Sequence, residues 1–451
     1  MAPVRVIVVG AGQVGRSIAE DLADNHDVAV VERDEVLVEE LTYQVDVLAV
    51  EGDGTDLEVL REAGVEDADL LIASTDADET NVVVCGVART VGDAATIARV
   101  KRRNLLTTWQ GTEGAFGVDF MVSSDLLAAE AIFRIAGVPG ARDVDTFAGG
   151  LVRMAEFELD ADSPVAGQRI SEADRWPSLT FAAVFRDDDV LFPDGDTRLH
   201  VDDRVVIIGG PEAVTECGGD ITGGDEDRKR RGPSEVVIVG GTGIGAQAAD
   251  LFEEGGHRTR LIERDPKRAR KLAERLPKTT VLQHDASDRE FLAGEHVGDA
   301  DVVVATTNAD ERNLLISLLA DRLGADRTVA VVERAEYAEL FEAVGVDVAV
   351  DPREETAEEI VRFTRASGTE KVAMLEHDRA EVIEIELDAG SPLAGRQLAS
   401  AVDDLPGNLV VGAVTRDGEL ITPRGNTELR AGDHLILFVE TAELDAVVDA
   451  L

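Results

Sequence analysis

Aromatic side chains are scarce in this chain. They make up 4% of its 451 residues, so any core it builds is aliphatic, as buried parallel sheets rich in Val, Ile and Leu are. Cysteine is scarcer still. Cys85 and Cys217 are too few and too isolated for a disulfide framework or a zinc site, and both read as free thiols in a reducing compartment. Positive charge is the third shortage. The chain holds 44 Lys and Arg against 91 Asp and Glu, a net charge of −47. That argues against nucleic acid or anionic lipid as partners, since both need a cationic surface. No apolar run approaches the ~20 residues a membrane helix needs. No leading signal peptide is visible, because residues 4–9 read as a strand. The protein is expected in the cytosol, with no direct membrane insertion and any membrane role exercised through a partner.

The acidic residues interrupt regular apolar patterns instead of forming blocks, which marks folded domains with an acidic surface and not a disordered chain. So acidic a balance, with so little lysine, resembles that of a salt-in halophile's protein, where ionic strength screens the self-repulsion. The length points to two to four domains.

The stretch that organises the chain is Val4-Arg5-Val6-Ile7-Val8-Val9-Gly10-Ala11-Gly12-Gln13-Val14-Gly15. A β-branched run feeds a glycine-rich turn. Residues 17–22 then carry helical periodicity, and residues 28–32 form a second apolar run closed by Glu32. In that context G-x-G-x-x-G means dinucleotide binding. Gly10 permits the turn, Gly12 lets backbone approach a pyrophosphate, and Gly15 lets helix pack on strand. The helix start offers N–H groups and a positive dipole end to the phosphates. Glu32 favours ribose hydroxyls over a 2′-phosphate, hence NAD over NADP, although Arg33 beside it weakens that preference. ATP and ADP share the adenosine half and stay open as ligands.

Further strands are expected at 46–50, 69–73, 95–100 and 119–122, with an apolar helix at 126–136 suited to core or subunit contact. Asp53 follows the third strand, where it serves as a crevice contact or as a helix cap. Asp76, Asp78 and Glu79 read as charges at a helix start rather than as a metal site. Arg99 is either a phosphate clamp or an exposed strand-end charge. The scattered His residues show no ligand spacing. From about residue 151 short alternating strands take over, at 154–159, 181–185, 190–192 and 205–208, in an α+β module with little room for a catalytic cleft. Residues 216–234, including Lys229-Arg230-Arg231, read as a linker.

The second half repeats the first in order. Val236-Val237-Ile238-Val239-Gly240-Gly241-Thr242-Gly243-Ile244-Gly245 leads to Glu263. Asp285 answers Asp53, and Thr307 answers Thr75. Thr242 stands where the middle glycine belongs, so its Cβ is expected to crowd the phosphate. An alternative register uses Gly241, Gly243 and Ala246. Val331 aligns with Arg99, so the second site is expected to bind more weakly, differently or not at all.

The glycine turn, Glu32, Gly52-Asp53 and Asp78-Glu79-Thr80-Asn81 resemble an RCK N-terminal (KTN) domain, and Ser163-Pro164 with Ala166-Gly167, repeated as Ser391-Pro392 with Ala394-Gly395, resemble an RCK C-terminal module. The tandem order is similar to the TrkA family of potassium-uptake regulators. The resemblance implies two Rossmann-like doubly wound α/β domains, each followed by a small α+β module: 1–140, 141–218, a linker at 219–233, 234–366 and 367–451. It also implies a homo-oligomeric ring on the cytosolic face of a TrkH-type potassium-translocating membrane subunit, without catalysis. Carried over by position, Gly10, Ala11, Gly12, Gln13 and Val14 hold the NAD pyrophosphate, Glu32 the adenosine ribose, and Thr75, Asp76 and Arg99 the rest of the pocket. Gly240, Gly241, Thr242, Gly243, Ile244, Glu263 and Thr307 correspond in the second half. The rivals are a soluble NAD-dependent oxidoreductase, for which no positioned acid or base is found, and a regulator responding to ATP, ADP or a cyclic dinucleotide. The acidic positions Glu156, Glu158, Glu384 and Glu386 disfavour an anionic ligand on the small modules.

Overall fold

The computed structural model describes residues 4–23, 26–112, 115–187, 189–221, 233–365, 371–375, 379–388, 390–403 and 405–450. The first sheet holds β1 (Arg5–Val9), β2 (Asp27–Glu32), β3 (Leu48–Glu51), β4 (Leu70–Ala73), β5 (Ala95–Val100) and β6 (Phe120–Ser123). Its strands pair in parallel in the order β3-β2-β1-β4-β5-β6. Helices cover both faces, so the central strands, apart from the exposed Arg5 that starts β1, are buried and apolar.

The small module that follows is antiparallel. It holds β7 (Ala141–Phe147), β8 (Val152–Glu158), β9 (Leu179–Arg186), β10 (Asp189–Leu191) and β11 (Arg204–Gly209), in the order β10-β9-β11-β8-β7. The second parallel sheet, β12 (Glu235–Val239), β13 (Arg258–Glu263), β14 (Thr280–Gln283), β15 (Val302–Ala305), β16 (Thr328–Val331) and β17 (Val348–Val350), repeats the order of the first. The second small sheet holds β18 (Lys371–Leu375), β19 (Ala380–Glu386), β20 (Leu409–Arg416), β21 (Glu419–Ile421) and β22 (His434–Glu440).

Three features differ from the sequence reading. β7 and β18, each at one edge of its sheet, went unrecognised; in β7 a register shift between Ala141 and Asp143 breaks the alternation. The stretch read as a linker begins in a helix, Pro211–Ile221, whose Val214, Cys217 and Ile221 are buried; Lys229, Arg230 and Arg231 lie outside the described residues. Glu156 and Glu384 do not form acidic surfaces. Both are about 4% exposed, Glu156 paired with Arg204 at 3.3 Å and Glu384 with His434 Nδ1 at 3.2 Å.

Like domains gather in space. Met1–Ile132 with Glu235–Phe363 forms one compact unit, and Phe133–Ser234 with Thr364–Leu451 the other. Within the first unit the helix Pro352–Arg365 sends Ala357 and Ile360 into the core beneath β1, beside Val8, Ile18 and Val30. Phe363 stacks on Phe120 with ring centroids 4.3 Å apart. Within the second unit Phe147, Phe185, Ile208, Ile436 and Phe438 share one core. Each small module carries the same two-pronged ion pair. Arg186 Nε and Nη2 reach Asp203 at 2.7 Å, and Arg416 Nε and Nη2 reach Asp433 at 2.7 and 2.8 Å.

Candidate nucleotide-binding crevices

Doubly wound sheets bind ligands where strand order reverses, at the carboxyl ends. Here that point lies between β1 and β4, and again between β12 and β15. In the first crevice Gly10 has φ +100°, and a Cβ there would fall 2.9 Å from Thr75 N. A Cβ on Gly15 would fall 1.9 Å from Gly10 O, so only glycine lets the helix Gln13–Ala23 start this close to β1. Gly12 faces open space, with nothing within 4 Å of a would-be Cβ. Gly12 and Gln13 are exposed, while Ala11 and Val14 point inward. The turn thus offers bare backbone on its outer side.

Glu32 closes this turn from below. Its Oε2 accepts the Ala11 N–H at 2.6 Å, and its Oε1 accepts those of Arg33 and Asp34 at 2.8 and 3.0 Å. Asp53 is neither free nor the cap of the next helix, whose cap is Asp56. Its Oδ1 accepts the backbone N–H and hydroxyl of Thr55 at 2.9 and 2.7 Å. Those two bonds hold its carboxyl below the ordinary range.

Arg99 is not an exposed charge. It is 6% exposed, because β5 lies between β4 and β6 and its side chain turns inward at the strand ends. Nε donates to Ser124 Oγ at 2.9 Å, Nη1 to Ser74 O at 3.5 Å, and Asp76 lies 3.7 Å away. Burial lowers the guanidinium's pKa, and Asp76 opposes that shift. Asp76 itself is bonded by Lys101 at 3.2 Å.

One residue that positions these groups drew no separate weight in the sequence. Asn81, fully buried, accepts from Thr75 N and Oγ1 at 2.9 and 2.6 Å and donates to Thr75 O and Arg99 O at 2.9 and 2.7 Å. Its neighbour Asp78 does not cap its own helix; it accepts from the N–H groups of Lys101 and Arg102 at 3.0 and 3.1 Å. No group of three or more His, Cys, Asp or Glu side chains suited to a metal ion occurs among the described residues.

The second crevice decides the register question. Gly240 has φ +109°, and a Cβ on Gly245 would lie 2.0 Å from Gly240 O. These reproduce Gly10 and Gly15, so Thr242 occupies the middle position and Gly241, Gly243 and Ala246 are not the framework. Thr242 caps the helix Gly243–Glu254, its Oγ1 accepting from Gly245 N at 3.2 Å and donating to Thr306 O at 2.8 Å. The hydroxyl is turned into the backbone. Glu263 accepts from Gly241 N at 2.8 Å and Asp265 N at 2.6 Å, with Arg268 3.4 Å away. Asn313 repeats the Asn81 bonds on Thr307 and Val331 O, which confirms Val331 as the counterpart of Arg99. Ile244 is half-buried.

A cavity of about 300 Å³ opens here, lined by Gly240, Thr242, Glu263, His284, Thr307 and Arg312 among others. Arg264 and Arg268 also face it. Asp285, held low by the N–H and hydroxyl of Ser287, stands 3.7 Å from Arg264. The His284 ring stacks on that of Phe291, with centroids 3.9 Å apart. Three arginines, Arg264, Arg268 and Arg312, thus line the second crevice.

The TrkA-N domain family matches residues 6–123 and 236–352, and the TrkA-C domain family residues 154–216 and 382–451. The chain is 32% identical to the Trk system potassium uptake protein TrkA homolog 2 of Methanosarcina mazei, over 98% of this chain and 99% of that one. It is 35% identical to the TrkA homolog of Archaeoglobus fulgidus, over 98% and 99%. Its fold is similar to that of the GsuK channel bound to NAD, with a TM-score of 0.60 at 20% identity, covering 100% of this chain and 79% of that one.

Proposed function

Because this chain belongs to the TrkA family of tandem TrkA-N and TrkA-C proteins, we propose that it is a regulatory subunit of a Trk-type potassium uptake system that senses NAD(H) and gates a membrane subunit of TrkH type. The observation that carries this reading is the first glycine turn. Its outer backbone is bare at Gly12, and Glu32 stands at the end of β2 against the turn, accepting the Ala11 N–H. That is the arrangement a pyrophosphate and an adenosine ribose require. Gly10, Ala11, Gly12, Gln13 and Val14 hold the pyrophosphate, and Glu32 the ribose. Thr75, Asp76 and Arg99 flank the distal half. Glu263 and Thr307, with the turn from Gly240 to Ile244, serve the second crevice.

The proteins named as relatives are potassium uptake proteins, which supports regulation rather than turnover. No described helix is long and apolar enough to cross a membrane, so coupling to potassium flow runs through a partner on the cytosolic face. The protein acts as a homo-oligomeric ring whose shape follows its ligand. The work such a ligand does equals its differential affinity for two shapes, typically about 1–3 kcal/mol.

Calorimetric titration of NAD, NADH, ATP and ADP in molar KCl tests the reading. Binding is expected in the parent and lost about tenfold or more in Glu32→Ala, since a charged hydrogen bond to ribose is worth about 1.5–3 kcal/mol. Glu263→Ala should act first on the second crevice. Equal binding by parent and Glu32→Ala would refute the assignment, as would turnover of NADH with a small carbonyl substrate.

A further inference from the structure

Asp125 and Arg353 occupy corresponding places in the two halves, each the second residue of the helix that follows the last strand of its sheet, Ser124–Ala136 and Pro352–Arg365. Each helix reaches across to the other half within the first unit. Asp125 lies on the second glycine turn: a Cβ on Gly243 would fall 1.7 Å from Asp125 Oδ2. Gly243 begins the helix Gly243–Glu254, so the carboxylate sits at that helix's positive end, where a nucleotide phosphate would come. The same helix is fastened to the first half at Asp250, 2.6 Å from Arg103. Asp125 is half-buried and makes no hydrogen bond or ion pair among the described residues. Burial raises its pKa. Lys101 and Arg99 of the first crevice attract it from a distance and Asp78 repels it, and no bond of its own holds it there.

Arg353 stands within electrostatic reach of Asp76 and Arg99 at the first crevice. Its helix is seated on the first half by Ala357, Ile360 and Phe363. Burial works to raise the Asp76 carboxyl, and Lys101, Arg99 and Arg353 together bring it below its ordinary value. Arg353 also acts on the Arg99 guanidinium, while its own Nη1 donates to Glu333 O. Ser124, next to Asp125, accepts from Arg99. The distal end of the first crevice and the turn of the second are therefore joined through adjacent residues of one helix.

We propose that the two halves set each other's nucleotide affinity by exchanged charges: Arg353 adds a cation to the first crevice, and Asp125 occupies the phosphate position of the second and must withdraw before a nucleotide binds there. This rests on the nucleotide reading above. The second crevice has an open cavity lined by Arg312, which is free of any ion pair among the described residues, and Asp125 stands at the start of the helix beside it. Withdrawal of Asp125 moves the helix carrying Ser124, so filling the second crevice changes the hold on Arg99 in the first. At molar salt the Debye length is about 3 Å, and an intruding charge in contact with the turn remains effective there.

The test is calorimetric titration of NAD and of ADP into full-length parent, Asp125→Asn, Asp125→Ala and Arg353→Gln in molar KCl, with thermal melting to establish that each folds. Asp125→Asn keeps shape and removes charge. It should tighten the weaker class of sites roughly three- to tenfold, a range set by the worth of charges at helix ends, and Asp125→Ala should do at least as much. Arg353→Gln should weaken the stronger class by a similar factor. Folded Asp125 variants whose weaker class is unchanged within twofold would overturn the inference while parent binding stands. A parent that binds neither NAD nor ADP would overturn the nucleotide reading and this inference with it.

Discussion

Replacing Asn81 by alanine isolates the least conspicuous part of the site. The side chain is 0% exposed, and it spends all its hydrogen-bonding capacity on backbone and hydroxyl groups at the ends of β4 and β5. Alanine leaves Thr75 N, Thr75 O and Arg99 O without this partner and opens a cavity that water reaches poorly. Four bonds of about 1 kcal/mol each put the loss at about 4 kcal/mol, before any cavity term. The twin bonds of Asn313 run from 2.6 to 2.9 Å, against 2.6 to 2.9 Å for Asn81. Asn313→Ala should therefore cost the same within about 1 kcal/mol. Urea denaturation in molar KCl, followed by circular dichroism, measures both. Because Thr75 and Asp76 hang from this anchor, Asn81→Ala should also weaken nucleotide binding to the folded protein. A loss below about 1 kcal/mol in either variant would refute the reasoning, since it would mean that the orphaned groups find equivalent partners.

Other perturbations test separate parts of the molecule. Gly15→Ala should unfold the first domain at lower temperature, because its Cβ would meet Gly10 O at 1.9 Å; a melting temperature within about 2 °C of the parent would contradict the geometry. Asp433, opposed by burial but held low by the hydrogen bonds of Arg416 and the Arg430 N–H, contributes stability that is present above its unfolded pKa of about 3.9 and is lost as pH falls through its lower folded value. Acid titration of the parent should show that loss below about pH 4. Asp433→Asn should remove this component and cost about 3 kcal/mol at pH 7 by stranding Arg416. The Cys85 thiol, pushed up to about 12 by burial, should resist iodoacetamide at pH 8 in the folded protein and react on denaturation.

The repeat of strand, glycine turn and helix was legible because its causes are local. A positive φ at Gly10 and Gly240, the close approach at Gly15 and Gly245, and the acids closing β2 and β13 all lie within one βαβ unit. Aliphatic runs and helical periodicity are enough to specify that unit. The family motifs spanned both halves for the same reason. What stayed hidden depends on residues far apart in the chain. Nothing near Arg99 tells that Ser124 and Asp76 will enclose it, and nothing near Glu156 tells that Arg204 will bury it. The direction of the Thr242 hydroxyl depends on Thr306 O, just past β15. β7 escaped notice because its shifted register hides its alternation until β8 is beside it. The sequence by itself determined two copies of a nucleotide-binding fold and of a small module. Only the tertiary structure decided that like domains pair across the chain and that Asp125 of one half meets Gly243 of the other, because such contacts are selected by packing between whole domains and leave no periodic trace in the residues that make them.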